Sequence, residues 1–430
     1  MRGDEDAVER RDGTGRRVAL LMGPASYRAT AFLAAAERLG LEVVRGLDLP
    51  EALADYWGVP LGFDFSRPEQ AAADLAARLA DRPPAAILAV DDGATLVASL
   101  ASDRLGLPHN DPAAALAARD KFVMRERLAA GGVPVPAYRR FPLTADPAAI
   151  AAEVEYPCVV KPLRLSGSRG VIRADDPAGF VAAWTRTKRL LLADGHDPAT
   201  THLLVEDFLP GVEVALEGLL TGGALRTLAL FDKPDPLDGP FFEETIYVTP
   251  SRLPGATQAA IAARVAESAA ALGLREGPVH AELRINDAGV WLIEMAGRSI
   301  GGLCSSVLEF GVGVGLEELI LRHAVGLPLP LPETATPDAA AGVMMIPIPR
   351  GGMLREVAGE DAARAVPGVT GVEITAKLHH PLVPLPEGAS YLGFIFARAP
   401  DPAAAEAALR AAHAHLRFRI EPTIALAVAD

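Results

Sequence analysis

Three things are scarce in this sequence: cysteine, lysine and uninterrupted apolar stretches. The two cysteines, Cys158 and Cys304, are too few for a disulfide framework or a four-cysteine metal site in a chain of 430 residues. No run of about 18 apolar residues predicts a membrane span, and the charged residues 1–16 lack the apolar core of a signal peptide. We therefore expect a flexible tail over 1–16, a cytoplasmic protein and no membrane partner.

Positive charge is also in short supply. There are 55 acidic and 41 basic residues, and the net charge of −14 disfavours a nucleic-acid partner or an anionic membrane surface. An anionic ligand must therefore be bound by a local cluster of positive charge. Only five basic residues are lysines, which makes each a candidate for such a cluster: Lys121, Lys161, Lys188, Lys233 and Lys377. No role is assigned to Lys188 or Lys377.

Apolar runs of strand length alternate with helix-length segments and glycine stops. This pattern predicts an α/β and α+β multidomain protein. The predicted parts are an N-terminal α/β domain over 17–115, a central domain over 116–326, a proline-rich linker over 327–337 and a C-terminal α+β domain over 338–430.

Local patterns refine this outline. Strands predicted at Arg17–Met22 and Ala86–Val90 place Gly23–Arg28 and Asp91-Asp92 at the carboxyl ends of parallel strands, where ligand loops lie. Asp111-Pro112 predicts the start of a helical segment that runs to Gly131. Residues 156–223 are predicted to form strands.

The most informative stretch is a predicted hairpin, His280–Ile285 and Val290–Met295. A loop centred on Ala288 would place Glu282 opposite Glu294, with their Cβ atoms about 4.5–5.5 Å apart. Two carboxylates this close repel each other unless a cation lies between them. Mg²⁺, which prefers carboxylate and phosphate oxygens, is the first candidate. An ordinary solvent-facing hairpin with acidic side chains is the equally weighted alternative.

A glycine-rich segment follows this hairpin and favours the ligand interpretation. In Gly297-Arg-Ser-Ile-Gly-Gly302, small residues let backbone amides approach an anion. The planar guanidinium of Arg298 adds a positive charge with paired N–H donors.

Two further stretches are candidates for nucleotide contacts. After Lys161 the Ser/Gly loop 166–170 offers N–H and hydroxyl groups to phosphate oxygens, although such loops are most often plain hairpin connections. In the bend 205–213, the chain turns away from an apolar strand and leaves backbone N–H and C=O groups unpaired. These groups could hydrogen-bond the edge of an adenine ring, and a nearby carboxylate could accept from ribose hydroxyls. A connecting turn with solvated acids is the alternative.

The order of these motifs resembles the ATP-grasp superfamily of carboxylate-amine and carboxylate-thiol ligases. It consists of Lys121, Lys161 with its loop, the 205–213 bend, and two glutamates twelve residues apart followed by Arg298. The stretches Phe231-Asp-Lys-Pro-Asp-Pro and Tyr391-Leu-Gly-Phe are similar to the L-amino-acid ligase branch. The resemblance implies an ATP-grasp fold with an N-terminal Rossmann-like domain, a lid subdomain at about 156–206 and a C-terminal α+β domain.

The resemblance also implies the cofactors and the residue roles. The cofactors are ATP and Mg²⁺, as two ions, with Mn²⁺ as a substitute. Glu282 and Glu294 would bind the metal, and Arg298 would be catalytic. The implied ATP-binding residues are Lys121, Lys161, Ser166, Gly167, Ser168, Gly170, Glu206, Asp207, Phe208, Leu209, Glu213 and Lys233. Candidate substrate residues are His280, Ser299, Gly301, Gly302 and Asp91.

Three of these positions carry alternatives. Lys233 is either a phosphate contact or the cap of a proline-rich loop, and His280 either orients substrate or is a structural donor. Ala296 stands where many family members have asparagine, so one metal or phosphate ligand is absent or supplied elsewhere.

The predicted activity is ATP-dependent activation of a carboxylate, that of an amino acid, as an acyl phosphate, followed by coupling to an amine. The products are an amide or dipeptide, ADP and phosphate. The predicted partners are small-molecule carboxylates and amines, and a homodimer is compatible with the sequence. The alternatives are biotin carboxylase-like carboxylation with bicarbonate, and a non-catalytic Mg-ATP-binding protein.

Overall fold

A computed structural model of the chain describes residues 13–24, 26–50, 53, 56, 61–310, 313–331 and 339–422. Most of the predicted tail, residues 1–12, lies outside the described residues. So do residues 332–337 of the predicted linker, and residues 338 and 423–430 of the predicted C-terminal domain.

The N-terminal unit is a parallel sheet with helices on both faces. Its strand order, β3-β2-β1-β4, is that of a Rossmann-like half and confirms the predicted fold class. Val18, Leu20 and Met22 of β1 face one core, and Ala19 and Leu21 face the other. The elements are β1 (Arg17–Met22), α1 (Ala29–Leu39), β2 (Glu42–Asp48), β3 (Leu61–Phe63), α2 (Pro68–Leu79), β4 (Ala86–Ala89) and α3 (Thr95–Leu105).

A small antiparallel sheet of order β5-β8-β6-β7 occupies the region of the predicted lid. One helix, α7, packs against β6 and β7 through Phe180, Ala183 and Trp184. The elements are α4 (Pro112–Arg119), α5 (Lys121–Ala130), β5 (Tyr138–Pro142), α6 (Pro147–Ala151), β6 (Cys158–Pro162), β7 (Ile172–Ala174), α7 (Pro177–Ala193) and β8 (His202–Asp207).

A large antiparallel sheet of order β13-β12-β9-β10-β11-β16-β20-β18 is built from the remaining chain, which also forms a three-stranded sheet of order β19-β17-β21 and a two-stranded sheet of β14 and β15. It contains strands from both sides of the predicted linker at 327–337, so the domain boundary there stays a prediction from sequence. The elements before the linker are β9 (Val212–Thr221), β10 (Ala224–Asp232), β11 (Ile246–Thr249), α8 (Gly255–Leu272), β12 (Gly277–Asn286), β13 (Gly289–Ala296), β14 (Glu309–Phe310), β15 (Val314–Gly315) and α9 (Leu316–Ala324). The elements after it are β16 (Ala340–Ile346), β17 (Gly352–Ala358), α10 (Glu360–Arg364), β18 (Val369–Ile374), β19 (Pro381–Leu382), β20 (Gly393–Ala399), α11 (Pro402–His415) and β21 (Arg417–Glu421).

One buried core joins the three parts of the chain. It brings Phe32 of α1 together with Phe231 of β10, Leu319 of α9 and Phe394 of β20. Because this apolar core is shared, the carboxyl edge of the N-terminal sheet is fixed against the large sheet.

One local prediction was wrong and another was incomplete. The helical segment predicted from Asp111 to Gly131 is broken at Asp120, which is extended (φ −100°, ψ 111°) and whose side chain accepts from the N–H groups of Phe122 and Val123. The strands predicted within 156–223 are confirmed as β6, β7, β8 and the β9–β10 hairpin, but the 17-residue helix α7 between β7 and β8 was not predicted. Asp176 caps that helix and Pro177 occupies its first turn, which is the same Asp-Pro signal that was recognised at Asp111.

Among the described residues, no helix has both the length and the apolarity needed to cross a membrane.

Gly211 holds the end of the 205–213 bend against β12. Its φ is +131°, and a Cβ there would lie 2.2 Å from the carbonyl oxygen of Ile285. We expect Gly211→Ala to lower the free energy of unfolding by about 3 kcal/mol, because backbone strain and a backbone clash add. Urea unfolding would measure this change.

Gly222→Ala is the matched control. Gly222 lies at a hairpin tip with φ +59° and has no neighbouring atom within 4 Å of the added Cβ, so the substitution should cost only about 1 kcal/mol. Equal losses in the two variants would show that the contact with Ile285 does not matter.

Candidate active site

A cavity of about 560 Å³ lies where the N-terminal sheet, the small sheet and the large sheet meet. Seventeen of the twenty predicted site residues line it. The other three are close by: Gly170 packs on Pro162, Lys233 lies behind Glu213, and Ser299 lines a second cavity of about 400 Å³.

The hairpin β12–β13 forms one wall and confirms the predicted pairing of Glu282 with Glu294. The predicted loop centre was wrong, since Asn286 pairs with Gly289 across a two-residue turn. A β-bulge at Ile293 shifts the register by one residue, and this shift brings Glu294 back opposite Glu282. The two carboxylates therefore face the cavity together.

Strand alternation places His280 and Arg284 on the same face as Glu282. His280 pairs with Glu217 of β9 across the sheet, and Arg284 pairs with Glu213. His280 Nδ1 contacts Glu217, and His280 Nε2 lies 3.3 Å from Glu282 Oε1. Burial alone would lower the pKa of His280, but the Glu217 and Glu282 carboxylates raise it to about 9. At neutral pH the imidazole is therefore a cation beside Glu282.

Lys233 lies at the centre of a cluster of three carboxylates. Its ammonium is 2.8 Å from Glu213 Oε1 and 3.7 Å from Glu282 Oε2, and it also contacts Glu244. Oxygen atoms of these three glutamates lie within 4.8 Å of one another. Burial opposes ionisation of Glu282, but Lys233 and His280 hold its pKa well below the usual range. Glu282 is therefore fully charged.

Lys121 reaches the cavity because the chain breaks at Asp120. The break starts α5 at Lys121, whose Nζ donates to the Leu165 carbonyl at 2.8 Å and lies 3.2 Å from Glu294 Oε1. Lys121 thus links the segment that leads into the 166–170 loop with the second glutamate of the hairpin.

Lys161 belongs to a buried ion network. Its ammonium contacts Glu206, which also accepts from Arg125 Nε at 2.9 Å and Arg125 Nη2 at 3.2 Å. Burial would raise the pKa of Glu206, but Arg125 and Lys161 lower it to about 2. Burial lowers the pKa of Lys161. Glu206 therefore fixes the position of Lys161 within the cavity wall.

An aromatic recess forms around the 205–213 bend. The rings of Phe208 and Phe242 are stacked with centroids 6.3 Å apart, and the Arg284 guanidinium lies 5.0 Å from the Phe208 centroid. Arg284 Nη1 also donates to the Leu209 carbonyl at 2.7 Å. Asp207 and Leu209 line the same part of the cavity. The recess has the flat, apolar character that suits a purine ring.

Arg298 is held by the N-terminal unit. Its Nε and Nη2 donate to the two carboxylate oxygens of Asp92 at 2.8 and 2.6 Å. Burial opposes the charge, but Asp92 raises the pKa of Arg298 above its ordinary value. Asp91 instead accepts from Gly23 N–H at 3.0 Å and from Ser26 Oγ at 2.9 Å, and so shapes the loop after β1.

A cluster of aromatic side chains also lines the cavity. Tyr27 and Tyr391 both contact the Phe394 ring edge-to-face, at centroid distances of 6.2 and 6.1 Å. Gly301 and Gly302 lie beside them, and a Cβ at Gly302 (φ +60°) would be 3.1 Å from the Phe394 ring. Glycine at 302 therefore leaves space for Phe394.

The loop 166–170 is tied to the C-terminal part of the chain. Gly170 N–H donates to the Pro386 carbonyl at 2.8 Å, and Arg169 Nε donates to the Glu387 carbonyl at 2.7 Å. Gly167 and Ser168 take left-handed conformations, and with Ser166 they line the cavity.

Sequence reasoning missed several residues of this site. They are Arg125, Glu217, Tyr391 and Phe394. Strand alternation already placed Arg284 on the face of Glu282, but no local signal pairs it with Glu213. Asp92 was named with Asp91 at a strand end where ligand loops lie, but its pairing with Arg298 was not predicted.

The Arg125–Glu206 pair allows a test of the buried network. We expect Arg125→Met to lower the free energy of unfolding at pH 7 by about 3–5 kcal/mol, because it leaves Glu206 buried with one cation fewer. The wild-type contribution is complete above the unfolded pKa of about 4.5 and is lost as the pH falls towards 2. Denaturant unfolding at pH 7, 4 and 3 should show a weaker acid dependence in the variant.

Arg398→Met is the control, since Arg398 and Glu309 form a half-exposed pair. It should change the stability by less than about 1 kcal/mol. A similar loss in both variants would contradict the account of the buried network.

Comparisons with known proteins agree with this geometry. Residues 154–307 match a family model described as ATP-grasp domain, and residues 344–421 match L-amino acid ligase C-terminal domain 2. Alanine–anticapsin ligase of Bacillus amyloliquefaciens is 27% identical over 330 residues, covering 69% of this chain and 67% of that protein. D-alanine–D-alanine ligase of Aromatoleum aromaticum is 30% identical over 213 residues, covering 45% of this chain and 66% of that protein. The match thus spans about two thirds of the length of these relatives.

The fold is also that of a solved protein. The crystal structure of L-amino acid ligase from Bacillus licheniformis superposes with a TM-score of 0.80 at 24% identity, covering 95% of this chain and 99% of that one. These matches confirm the fold class and the resemblance stated from the sequence. Residues 154–307 thus match an ATP-grasp domain, and the chain is similar to ligases that act on amino acids.

Proposed function

We propose that this protein is an ATP-dependent ligase that activates the carboxylate of an amino acid as an acyl phosphate and couples it to an amine. The products are an amide or dipeptide, ADP and phosphate. The observation that carries the proposal is the convergence of Lys121, Lys161 and Arg298 with the paired Glu282 and Glu294 on one cavity. Such a site can hold a nucleotide triphosphate beside a second anion.

The carboxylate pair fits a divalent cation. Both groups are oxygen donors, both are partly open to the cavity (side-chain exposure 23% and 32%), and a low pKa keeps Glu282 charged. Glu282 and Glu294 would hold Mg²⁺, or Mn²⁺ in its place, and a bound ion would neutralise phosphate charge. Ala296 is buried opposite His280 and offers no oxygen ligand. Glu244, beside Glu282, is a candidate for the ligand that asparagine supplies in many family members.

Each side of the cavity suits one part of ATP. The adenine ring would enter the recess of Phe208, Leu209 and Phe242, with Glu213 near the ribose hydroxyls. The phosphates would extend towards Lys121, Lys161 and the loop 166–170, whose N–H groups and serine hydroxyls are donors.

In the first step, a carboxylate oxygen of the substrate attacks the γ-phosphorus and the bond to the ADP oxygen breaks. Two anions must approach each other for this to happen. Arg298 meets the charge that develops, and Asp92 fixes its orientation by accepting from two of its nitrogens. The acyl phosphate and ADP are formed.

In the second step, the amine nitrogen attacks the acyl carbon. The C–O bond to phosphate then breaks, phosphate leaves with the electron pair, and the nitrogen loses a proton. Backbone N–H groups at Gly301-Gly302 and the Arg298 guanidinium are suited to the oxyanion formed on the way. Because acyl phosphates hydrolyse, the loop 166–170 and its contacts with Pro386 and Glu387 serve to exclude water.

The amino acid nature of the substrates is drawn from the relatives, whose names specify alanine, anticapsin and D-alanine as substrates. A screen of amino-acid pairs, read by phosphate release and mass spectrometry of the products, would identify the pair used here.

Arg298→Met and Glu294→Gln test the proposed site. Each should lower kcat/KM for ADP-forming amide synthesis by about 10²–10³-fold, because each removes charge that stabilises the transferring phosphoryl group. Coupled ADP release with the best pair from the screen measures the effect.

Arg398→Met, an exposed arginine remote from the cavity, is the control for both variants and should retain wild-type turnover. Thermal unfolding of all the variants checks that they are folded. Undiminished turnover in Arg298→Met and Glu294→Gln would refute the site.

A further inference from the structure

The small-sheet unit, which comprises β5–β8 with α6 and α7, has an apolar core of its own. Cys158, Val160, Phe180 and Trp184 belong to that core, and among the described residues none from β16 onwards does. The unit nevertheless contacts the C-terminal loop, residues 384–389, which connects β19 with β20. Because the two share no apolar core, they can separate without exposing one.

Two hydrogen bonds attach the loop 166–170 to the C-terminal loop. Gly170 N–H donates to the carbonyl of Pro386 at 2.8 Å. Arg169 Nε donates to the carbonyl of Glu387 at 2.7 Å. A loop that lines the proposed phosphate side of the cavity is therefore held by residues more than 200 positions further along the chain.

An ion pair attaches the helix α7 to the same loop. Arg186 Nε and Nη2 donate to the two carboxylate oxygens of Glu387 at 2.5 and 2.8 Å. These hydrogen bonds lower the pKa of Glu387, which is therefore charged at neutral pH. Both side chains are half-exposed (42% and 38%), so water and salt compete with the pair. The contact can break and form again while the rest of the chain stays folded.

The position of α7 is passed directly to the loop 166–170. Thr187 of α7 is buried, and its hydroxyl donates to the Gly170 carbonyl at 3.1 Å. Gly170 is thus held through its carbonyl by α7 and through its N–H by the C-terminal loop. Glu387 supports both contacts, since its carboxylate holds α7 and its backbone carbonyl holds Arg169.

We infer that Glu387 is a positioning residue that keeps the loop 166–170 closed from the formation of the acyl phosphate until the amine has attacked it. This inference rests on the proposed ligase function and gives the C-terminal part of the chain a role in it. The loop would otherwise open between the two chemical steps.

Opening of the loop admits water to the acyl phosphate. The water oxygen attacks the acyl carbon, the C–O bond to phosphate breaks, and phosphate leaves with the electron pair while the water loses a proton. The substrate carboxylate is formed again, and ATP has been consumed without amide formation. The measurable consequence is uncoupled ADP, which is the ADP released in excess of the amide formed.

Glu387→Gln tests the inference, because it removes the charge and leaves the backbone carbonyl in place. With the best substrate pair from the screen, we expect uncoupled ADP to rise about three- to fivefold, which is the size of effect that one half-exposed ion pair exerts. Total ADP release should be unchanged or raised. A variant that had lost its fold would instead lose ADP release.

Arg186→Met examines the other side of the ion pair. It should raise uncoupled ADP by the same factor, and the double variant Arg186→Met/Glu387→Gln should show no further rise, because both substitutions break one contact. Increasing NaCl from about 0.05 to about 0.5 M should raise uncoupled ADP in the wild type, because salt screens the pair. Glu387→Gln should respond little to the same change.

Glu309→Gln is the matched control. Glu309 is also a half-exposed carboxylate paired with an arginine, Arg398, and it does not line the cavity. Coupling in this variant should equal that of the wild type. The thermal midpoints of all these variants should lie within about 2 °C of the wild-type value, because half-exposed pairs contribute little to stability.

Hydrogen exchange at the Gly170 amide reports the contact without turnover. Mass spectrometry of the peptide that contains Gly170 should show exchange about three- to fivefold faster in Glu387→Gln than in the wild type, and no change in Glu309→Gln. The measurement needs neither substrate.

Three results would overturn the inference. They are unchanged uncoupled ADP in Glu387→Gln, an equal rise in Glu309→Gln, and a double variant whose rise is the product of the two single ones. Failure of the ligase proposal would look different, since no substrate pair would release ADP. The exchange rate at Gly170 would then still decide whether Glu387 holds the loop.

Discussion

The pairing of Glu282 with Glu294 across the β12–β13 hairpin is the constraint around which the cavity is organised. Two carboxylates on one face of a sheet repel each other, and the fold compensates by bringing cations to them from distant parts of the chain. Lys121 arrives from the start of α5 and Lys233 from the end of β10, while His280 comes from β12 itself. The charge balance of the cavity is therefore a product of the whole fold.

The cations around Glu282 and Glu294 are balanced by further charged groups in the same way. Each of these cations is itself held by a further group: His280 by Glu217, Lys233 by Glu213 and Glu244. Charges arranged in this way cost less to bury than unpaired charges would, because each is paired before any ligand arrives. Such preorganisation is what a phosphoryl-transfer site requires, since the polar groups need not move when charge develops.

Much of the fold could be predicted from local patterns. Strand β1 and the hairpin around Thr221-Gly-Gly223 follow from apolar runs and turn residues, and the facing of Glu282 and Glu294 follows from strand alternation. The loop centre was wrong because a one-residue bulge at Ile293 restores the pairing, and bulges leave little trace in a single sequence. The break at Asp120 was missed because helical segments flank it on both sides, while the capping bonds that favour the break form only in the folded chain.

The sequence by itself determined the chemistry that is available and its order along the chain: the lysines, the Ser/Gly loop, the acidic bend, the glutamate pair and Arg298. Periodicity and spacing carry that information because they act over a few residues. Only the tertiary structure decided which charges meet. Asp92 rather than Asp91 holds Arg298, and Glu206 fixes Lys161. These contacts join residues tens to hundreds of positions apart, and they depend on how the sheets pack, which no local pattern encodes.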